Sequence, residues 1–142
     1  MTENTTLEGI IRVTSKGVGY FSLSDKEDDL EIQPENLKAA LNRDRVKVEP
    51  LGKEIMGRKQ AQVVEIIERH KTQFVGTLEK SIEGFFLVPD DKKMYRDIFI
   101  PVDQTRKAKE GDKVQVKITK WPDPSKSPKG EVIRIIGQAG EH

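Results

Sequence analysis

The sequence predicts an all-β protein built from two small five-stranded antiparallel barrels in tandem, each with a short helix after its third strand. Two observations carry this prediction. Short runs rich in Val, Ile, Phe and Tyr are separated by Gly, Asp, Lys and Pro segments, and the whole pattern recurs with an offset of 65 to 69 residues. The length of 142 residues suits two domains of about 70 residues each. Because only 35% of the residues are hydrophobic, each core is expected to be thin.

Five blocks recur in the same order along the chain. In the first copy they are Leu7–Ile11, Gly19–Phe21, Asp29–Ile32, Asp44–Val48 and Val63–Ile67. In the second copy they are Phe74–Leu78, Gly84–Phe86, Asp97–Ile100, Asp112–Val116 and Val132–Ile136. Short β-branched and aromatic runs between turn residues are typical of strands. The sequence therefore predicts five strands per copy and two domains, residues 1–69 and 70–142.

The connections between the runs complete the architecture. The segment PENLKAAL (34–41) begins with Pro and has helical composition, so it predicts a short helix after the third strand. The matching segment, 101–111, predicts a weaker helix or a turn. The loop 121–130 contains three prolines and cannot be a central strand. A small barrel of five antiparallel strands, capped after strand three, is the plan of the OB-fold.

The composition narrows the possible functions. With 25 basic and 24 acidic residues, the chain lacks the strongly basic character of a dedicated duplex-binding protein. The absence of cysteine excludes disulfides and thiolate metal sites. The N-terminus does not resemble a signal peptide, and no apolar run is long enough to span a membrane. We therefore expect a cytoplasmic, monomeric protein with no membrane partner.

The stretch SKGVGYF (15–21) is the first candidate for a binding surface. Glycine tolerates the sharp coiling of a small barrel. Strand alternation then predicts that Phe21 faces the core, whereas Val18 and Tyr20 face outward. An outward Tyr beside Lys16 offers a stacking surface with a cation for phosphate, the combination that binds single-stranded nucleic acid.

The same reasoning applies to the second copy. By analogy with the first, we expect Phe85 to face outward and Phe86 to lie in the core. Phe99 is expected to face outward between the core residues Ile98 and Ile100.

These residues resemble the nucleic-acid-binding motifs of a known family. Lys16–Phe21 resembles the first ribonucleoprotein motif of cold-shock domains, and Leu30–Gln33 and Ile98–Ile100 occupy the place of the second. Two such domains in tandem, each with a D-[LI]-x-[LI] run followed by G-D-[RK]-V, resemble the N-terminal region of exoribonucleases of the ribonuclease R and ribonuclease II family, although Arg43 replaces the Gly of this motif in the first copy. The sequence departs from the cold-shock pattern at Val18 and Glu31, which replace aromatic residues.

The resemblance implies a function. It implies that the chain binds single-stranded RNA and guides it to the catalytic domain of a parent 3′–5′ exoribonuclease, a domain that would use Mg²⁺ and is absent from this sequence. The chain alone is then not an enzyme and needs no cofactor. The alternatives are a protein-docking module on a nuclease or ribosome, and an independent RNA chaperone of the cold-shock type.

The candidate RNA-binding residues come from both copies and from one loop. Trp121 opens the proline-rich loop and either covers it as a lid or helps to grip RNA, while two lysines near its end are candidates for phosphate contacts. The full set is Lys16, Val18, Tyr20, Gln33, Phe85, Phe99, Trp121, Lys126 and Lys129.

No catalytic or metal-binding residues are predicted in this chain. Two-metal hydrolysis needs several converging carboxylates. The acidic pairs Asp28–Asp29 and Asp90–Asp91 lie in predicted turns, where solvated carboxylates are expected. The two histidines, His70 and His142, have no ligand spacing around them.

Overall fold

Two compact units make up the chain, Met1–His70 and Lys71–His142. The computed structural model describes residues 5–23 and 29–139. Each unit holds a closed barrel of five strands, so the predicted all-β class is confirmed. Within the described residues, no helix has the length and apolar character required to cross a membrane.

The first barrel closes through one parallel contact. Its strands are β1 (Leu7–Val13), β2 (Gly19–Phe21), β3 (Leu30–Ile32), β4 (Arg45–Ile55) and β5 (Arg58–Glu68). The order around the barrel is β1-β2-β3-β5-β4, with β1 antiparallel to both β2 and β4. β3 and β5 run parallel and meet at Glu31 and Gln60.

The second barrel repeats this topology. Its strands are β6 (Gln73–Lys80), β7 (Phe85–Pro89), β8 (Ile98–Ile100), β9 (Lys113–Lys120) and β10 (Lys129–Gly137). The order is β10-β8-β7-β6-β9, and the parallel contact between β8 and β10 joins Phe99 to Lys129.

Alternation along the strands decides which side chains enter the cores. In both third strands the outer two residues are fully or almost fully buried and the middle one is not, because successive side chains point to opposite faces. The middle residues are Glu31 in the first barrel and Phe99 in the second. The candidate binding faces are therefore built around these two positions.

The predicted helix after strand three is only a single 3-10 turn. It spans Pro34–Asn36 in the first barrel and Val102–Gln104 in the second. A longer helix over 34–41 is prevented because Lys38 and Ala39 have φ values of 50° and 71°, in the left-handed region.

A buried aspartate follows the turn in both barrels and explains the repeated D-[RK]-V pattern. Asp112 accepts backbone hydrogen bonds from Lys109 and Ala139, both at 2.8 Å. Asp44 accepts the equivalent bonds from the backbone three residues before it, at 2.9 Å, and from His70, at 3.0 Å. The bonds from Ala139 and Lys109 lower the pKa of Asp112. Each carboxylate thus joins a loop to the end of its own barrel.

Candidate nucleic-acid interface

An aromatic pair lies on the outer face of the second barrel. Phe86 on β7 is directly opposite Phe99 on β8. Their ring centroids are 5.3 Å apart and the rings are tilted by 59°. Both rings are partly exposed, whereas the neighbours of Phe99 on β8 are fully buried. A partly exposed ring pair of this kind can stack nucleobases.

The expected orientations of Phe85 and Phe86 are wrong. Phe85 is opposite the buried Ile100, so its Cβ points to the interior side of the sheet, and Phe86 takes the outer face. The outward-facing ring of β7 is therefore that of Phe86 and not that of Phe85.

The error is a one-residue slip in matching the two copies. The sequence aligns Gly19-Tyr20-Phe21 with Gly84-Phe85-Phe86, but in the structure Tyr20 is opposite Glu31 just as Phe86 is opposite Phe99. A slip of one residue in a strand moves every side chain to the other face. Phe86 is thus the counterpart of Tyr20.

The loop before β10 brings a cation to the ring pair. Lys129 is exposed and is the β10 partner of Phe99. The backbone N–H of Phe99 donates to the carbonyl of Pro128 at 2.8 Å, which fixes the end of the loop against β8. The indole N–H of Trp121 donates to the carbonyl of Lys126 at 2.8 Å, so it closes its own loop. The Lys126 side chain is exposed.

Sequence reasoning missed a residue that holds this loop. The guanidinium of Arg96 donates to the carbonyls of Pro124 at 3.1 Å and Ser125 at 3.4 Å. Within the loop, the side-chain and backbone hydrogen bonds from Ser125 lower the pKa of Asp123. No local signal identifies Arg96, because its partners lie 28 and 29 residues away in the sequence.

Two carboxylates border the ring pair. Glu79 on β6 is opposite Phe86, and Asp97 immediately precedes β8, on the outer side by alternation with Ile98. Desolvation first, and then the negative charge of Glu79, raise the pKa of Asp97. The two carboxylates repel phosphate. The phosphate backbone of a nucleic acid is therefore expected near Lys129, on the part of the face that carries positive charge.

The first barrel has a different face. Tyr20 lies between Arg12 and Glu31 as their cross-strand partner and is partly exposed on the outer side. Its hydroxyl donates to Glu31 at 3.4 Å. The position that corresponds to Phe99 in the second barrel is therefore a carboxylate, and this face has one ring rather than a pair.

Five side chains form a polar cluster on the face of the first barrel: Tyr20, Glu31, Gln33, Arg58 and Gln60. Oε1 of Glu31 accepts from the amides of Gln33 and Gln60, both at 2.9 Å. Nε of Arg58 is 3.9 Å from the other carboxylate oxygen, and its guanidinium carbon is 5.7 Å from the centroid of the Tyr20 ring. Of the members, the sequence identified only Tyr20 and Gln33 as candidates, since the cluster joins residues far apart in the chain.

The remaining sequence candidates lie at the start of β2. Lys16 is exposed in a turn closed by the bond from the N–H of Gly17 to the carbonyl of Thr14 at 3.0 Å. Gly17 has a φ of 79°, which favours glycine. Val18 is partly buried just before the strand. Lys16 is thus available to a phosphate, whereas Val18 adds little surface.

No metal centre is found within residues 5–23 and 29–139, where no three acidic or histidine side chains are placed to share an ion. Asp29 pairs with Arg12, and Asp28 lies outside the described residues. Asp90 pairs with Lys113 at 2.7 Å and Asp91 with a second lysine at 3.7 Å. The described members of the two acidic pairs, Asp29, Asp90 and Asp91, are thus each engaged in an ion pair with a basic side chain.

Comparison with known proteins assigns each barrel to a domain family. Residues 9–66 match the family model of the ribonuclease B OB domain, and residues 86–142 match that of the cold shock domain. The chain is 31% identical over 121 residues to ribonuclease R of Escherichia coli and 32% identical over 129 residues to ribonuclease R of Thermotoga maritima. These alignments cover 85% and 91% of this chain. Most of the chain therefore resembles a part of ribonuclease R, with one domain model matching in each barrel.

The chain spans only a small part of these relatives, 15% of the E. coli protein and 18% of the T. maritima protein. The fold also matches solved structures. Mycoplasma genitalium RNase R, in complex with ribose-methylated single-stranded RNA, aligns with a TM-score of 0.77 and 24% identity over 94% of this chain and 22% of that one. Yeast Ssd1, a pseudonuclease, aligns with a TM-score of 0.79 and 21% identity over 96% of this chain and 23% of that one. At these identities the structures support the fold alone.

Proposed function

We propose that the two barrels are the RNA-binding region of a 3′–5′ exoribonuclease of the ribonuclease R type. In this proposal they bind single-stranded RNA and guide it to a catalytic domain elsewhere in the parent protein. The observation that carries the proposal is the partly exposed Phe86–Phe99 pair with Lys129 beside it. Rings that stack bases next to a cation that meets phosphate form the usual surface for unpaired strands.

The similarity to part of ribonuclease R supports the same proposal. The matched relatives of Escherichia coli and Thermotoga maritima are ribonucleases. The near-neutral net charge of +1 fits a guide surface that works together with other domains. Affinity at physiological salt is then expected to be modest, since few phosphates are neutralised.

Fluorescence anisotropy with a labelled single-stranded oligoribonucleotide tests the proposal on this chain. We expect the double substitution Phe86→Ala and Phe99→Ala to weaken binding about tenfold or more at low salt, because each stacked base is worth about 1–3 kcal/mol. Lys129→Ala is expected to weaken binding less and to reduce the salt dependence by about one phosphate contact.

Val102→Ala is the matched control in the same barrel. Val102 is 66% exposed in the 3-10 turn after β8, so its loss removes apolar surface without touching the ring pair. Binding by this variant should equal that of the wild type. If the double variant binds RNA as well as Val102→Ala does, while its melting curve shows a folded protein, the proposed site is wrong.

The guiding role belongs to the parent enzyme and is tested there. In the full-length protein, the Phe86→Ala and Phe99→Ala changes should slow degradation of long single-stranded RNA while leaving hydrolysis of a dinucleotide unchanged. Equal effects on both substrates would contradict a guiding role. Mg²⁺ dependence is expected of the parent activity and not of RNA binding by this chain.

A second candidate function, docking on another protein domain, is favoured by one observation. At the tip of the β4–β5 hairpin, Met56 is 98% exposed and Ile55 is 41% exposed. Met56→Lys and Ile55→Lys should then abolish association with a separately expressed catalytic domain of the parent and leave RNA binding by this chain unchanged. Intact association after both changes would remove this candidate.

A further inference from the structure

The polar cluster of the first barrel borders a cleft through Gln60. The cleft has a volume of about 510 Å³ and lies between β3 and the β4–β5 hairpin. Gln60 belongs to both the cluster and the lining of the cleft, and Lys53 and Lys59 line it further along the hairpin. Glu54 also lines it, opposite Lys59 on the neighbouring strand. The cleft is large enough for a nucleotide and has cations for its phosphate.

Hydrogen bonding fixes the orientation of the two amides in the cluster. An ionised carboxylate can only accept, so Gln33 and Gln60 must turn their NH₂ groups toward Glu31. The amide nitrogen of Gln60 also donates to the carbonyl of Arg58 at 3.0 Å, and its oxygen accepts from Gln33 at 3.2 Å. Because Gln60 is only 1% exposed, this arrangement is held rigidly.

The groups that remain for a ligand are mainly acceptors. Both N–H groups of the Gln33 amide are used inside the cluster, and its oxygen receives no hydrogen bond from the described residues. Among the described residues, the second oxygen of Glu31 contacts only the Tyr20 hydroxyl, at 3.4 Å, and the more distant Arg58, at 3.9 Å. The Glu31 side chain keeps 13% exposure. Beside the Tyr20 ring, the cluster therefore presents two acceptors.

We propose that this cluster makes the first barrel selective for nucleobases with an exocyclic amino group, so that cytosine binds better than uracil. The base stacks on Tyr20 and donates its amino hydrogens to Glu31 and Gln33. Uracil carries a carbonyl oxygen at the position of the cytosine amino group, which repels the carboxylate, and it offers only its single N3–H to the two acceptors. The inference rests on the proposed RNA binding, to which it adds a base preference.

Arg58 takes part as a movable cover. Its guanidinium is near the Tyr20 ring, and its side chain is 58% exposed, so it can leave for a phosphate when a base arrives. Its contact with Glu31 is long, at 3.9 Å, and the Arg58 end of that contact is open to solvent, so breaking it costs less than breaking a close buried pair. Arg58 therefore does not prevent entry of the base.

Competition between oligocytidylate and oligouridylate of equal length tests the proposal, because the two pyrimidines differ only at this position and at the adjacent N3, which bears a hydrogen in uracil and a lone pair in cytosine. We expect the wild-type chain to bind oligocytidylate about five- to tenfold more tightly, within the range for specific base-edge contacts. Glu31→Gln replaces an acceptor with a donor and should bring the ratio to about one or reverse it.

Glu65→Gln is the matched control. It removes the same charge from the first barrel at a side chain that is 59% exposed and pairs with Lys47 at 3.9 Å, away from the cluster. The control should keep the wild-type ratio.

Two results would overturn the proposed base preference, and a third would overturn the RNA binding on which it rests. Equal affinities of the wild-type chain for the two oligonucleotides would show that no base preference exists. This comparison needs only the wild-type chain, so it holds even if the Glu31→Gln variant does not fold. An unchanged preference in a folded Glu31→Gln variant would place the selectivity elsewhere. Failure of both oligonucleotides to bind would instead refute the proposed function itself.

Discussion

Replacing the buried carboxylate of Asp112 should destabilise the second barrel selectively. Asp112 is 4% exposed and accepts two backbone hydrogen bonds, from Lys109 and Ala139. In Asp112→Ala both N–H groups lose their partner, and each such loss costs about 1–3 kcal/mol. Because both donors belong to exposed residues and water can reach them in part, we expect a total loss of about 2–4 kcal/mol.

Urea unfolding followed by the fluorescence of Trp121 measures this change. Trp121 is the only tryptophan of the chain and lies in the second unit, so its signal reports that barrel. The variant should shift the midpoint to lower urea without changing the signal of the folded state. Asp103→Ala, an exposed acidic residue in the 3-10 turn of the same barrel, is the control and should leave the midpoint unchanged.

The pH dependence adds a second test of the same residue. Hydrogen bonding to the charged form lowers the pKa of Asp112 in the folded state below its ordinary value of about 3.9. Its contribution to stability is therefore complete above the unfolded pKa and is lost as the pH falls through the folded pKa. The difference between wild type and Asp112→Ala should be constant from pH 7 to about pH 5 and shrink below about pH 4. A difference that stays constant down to pH 2, or an absent effect at pH 7, would refute this account of the carboxylate.

Two further changes test the packing and electrostatics of the second barrel. Gly76→Ala should lower the free energy of unfolding in urea by about 3 kcal/mol or more, because the added Cβ would lie 2.2 Å from the carbonyl oxygen of Val88. In the control Gly137→Ala the nearest atom is 3.9 Å away, so the loss should be about 1 kcal/mol or less. Equal losses in the two variants would contradict the close contact at Gly76. Asp97→Asn should raise the urea midpoint of unfolding at pH 7 and not at pH 3, because desolvation and Glu79 raise the pKa of Asp97 and make its charged form unfavourable in the folded state. The same variant should bind RNA about twofold more tightly, because one charge that repels phosphate is removed. A lower midpoint at pH 7 would show that the charge is stabilising.

Local patterns in the sequence were sufficient to predict the barrels. Alternation in Leu30–Ile32 and Ile98–Ile100 gives both the strands and their buried faces, and duplication of the five blocks gives two equivalent units. The order of faces in β7 was not predictable in this way. With Phe85 and Phe86 adjacent, either ring can face the core, and only the pairing with Phe99 decides between them.

The polar cluster was beyond local reasoning for a different reason. In the sequence, Glu31 only shows that the aromatic residue of the cold-shock pattern is missing. In the structure, Gln60 and Arg58 contact Glu31 across the parallel pairing of β3 and β5. A parallel pairing of strands nearly 30 residues apart leaves no periodic signal in the sequence. The short 3-10 turn was hidden similarly, because the left-handed conformation of Ala39 is imposed by the barrel and opposes the helical preference of alanine.

The central claim is that unpaired bases stack on the outer face of strands two and three of each barrel. Titration of ¹⁵N- and ¹³C-labelled protein with oligocytidylate, followed by aromatic and amide NMR signals, tests it most directly. We predict that the largest shifts occur at Phe86, Phe99 and Lys129 in the second barrel and at Tyr20 and Glu31 in the first. Saturable binding that shifts other signals, for example those of Met56 and Val102, and leaves the signals of these aromatic rings unchanged would contradict the account.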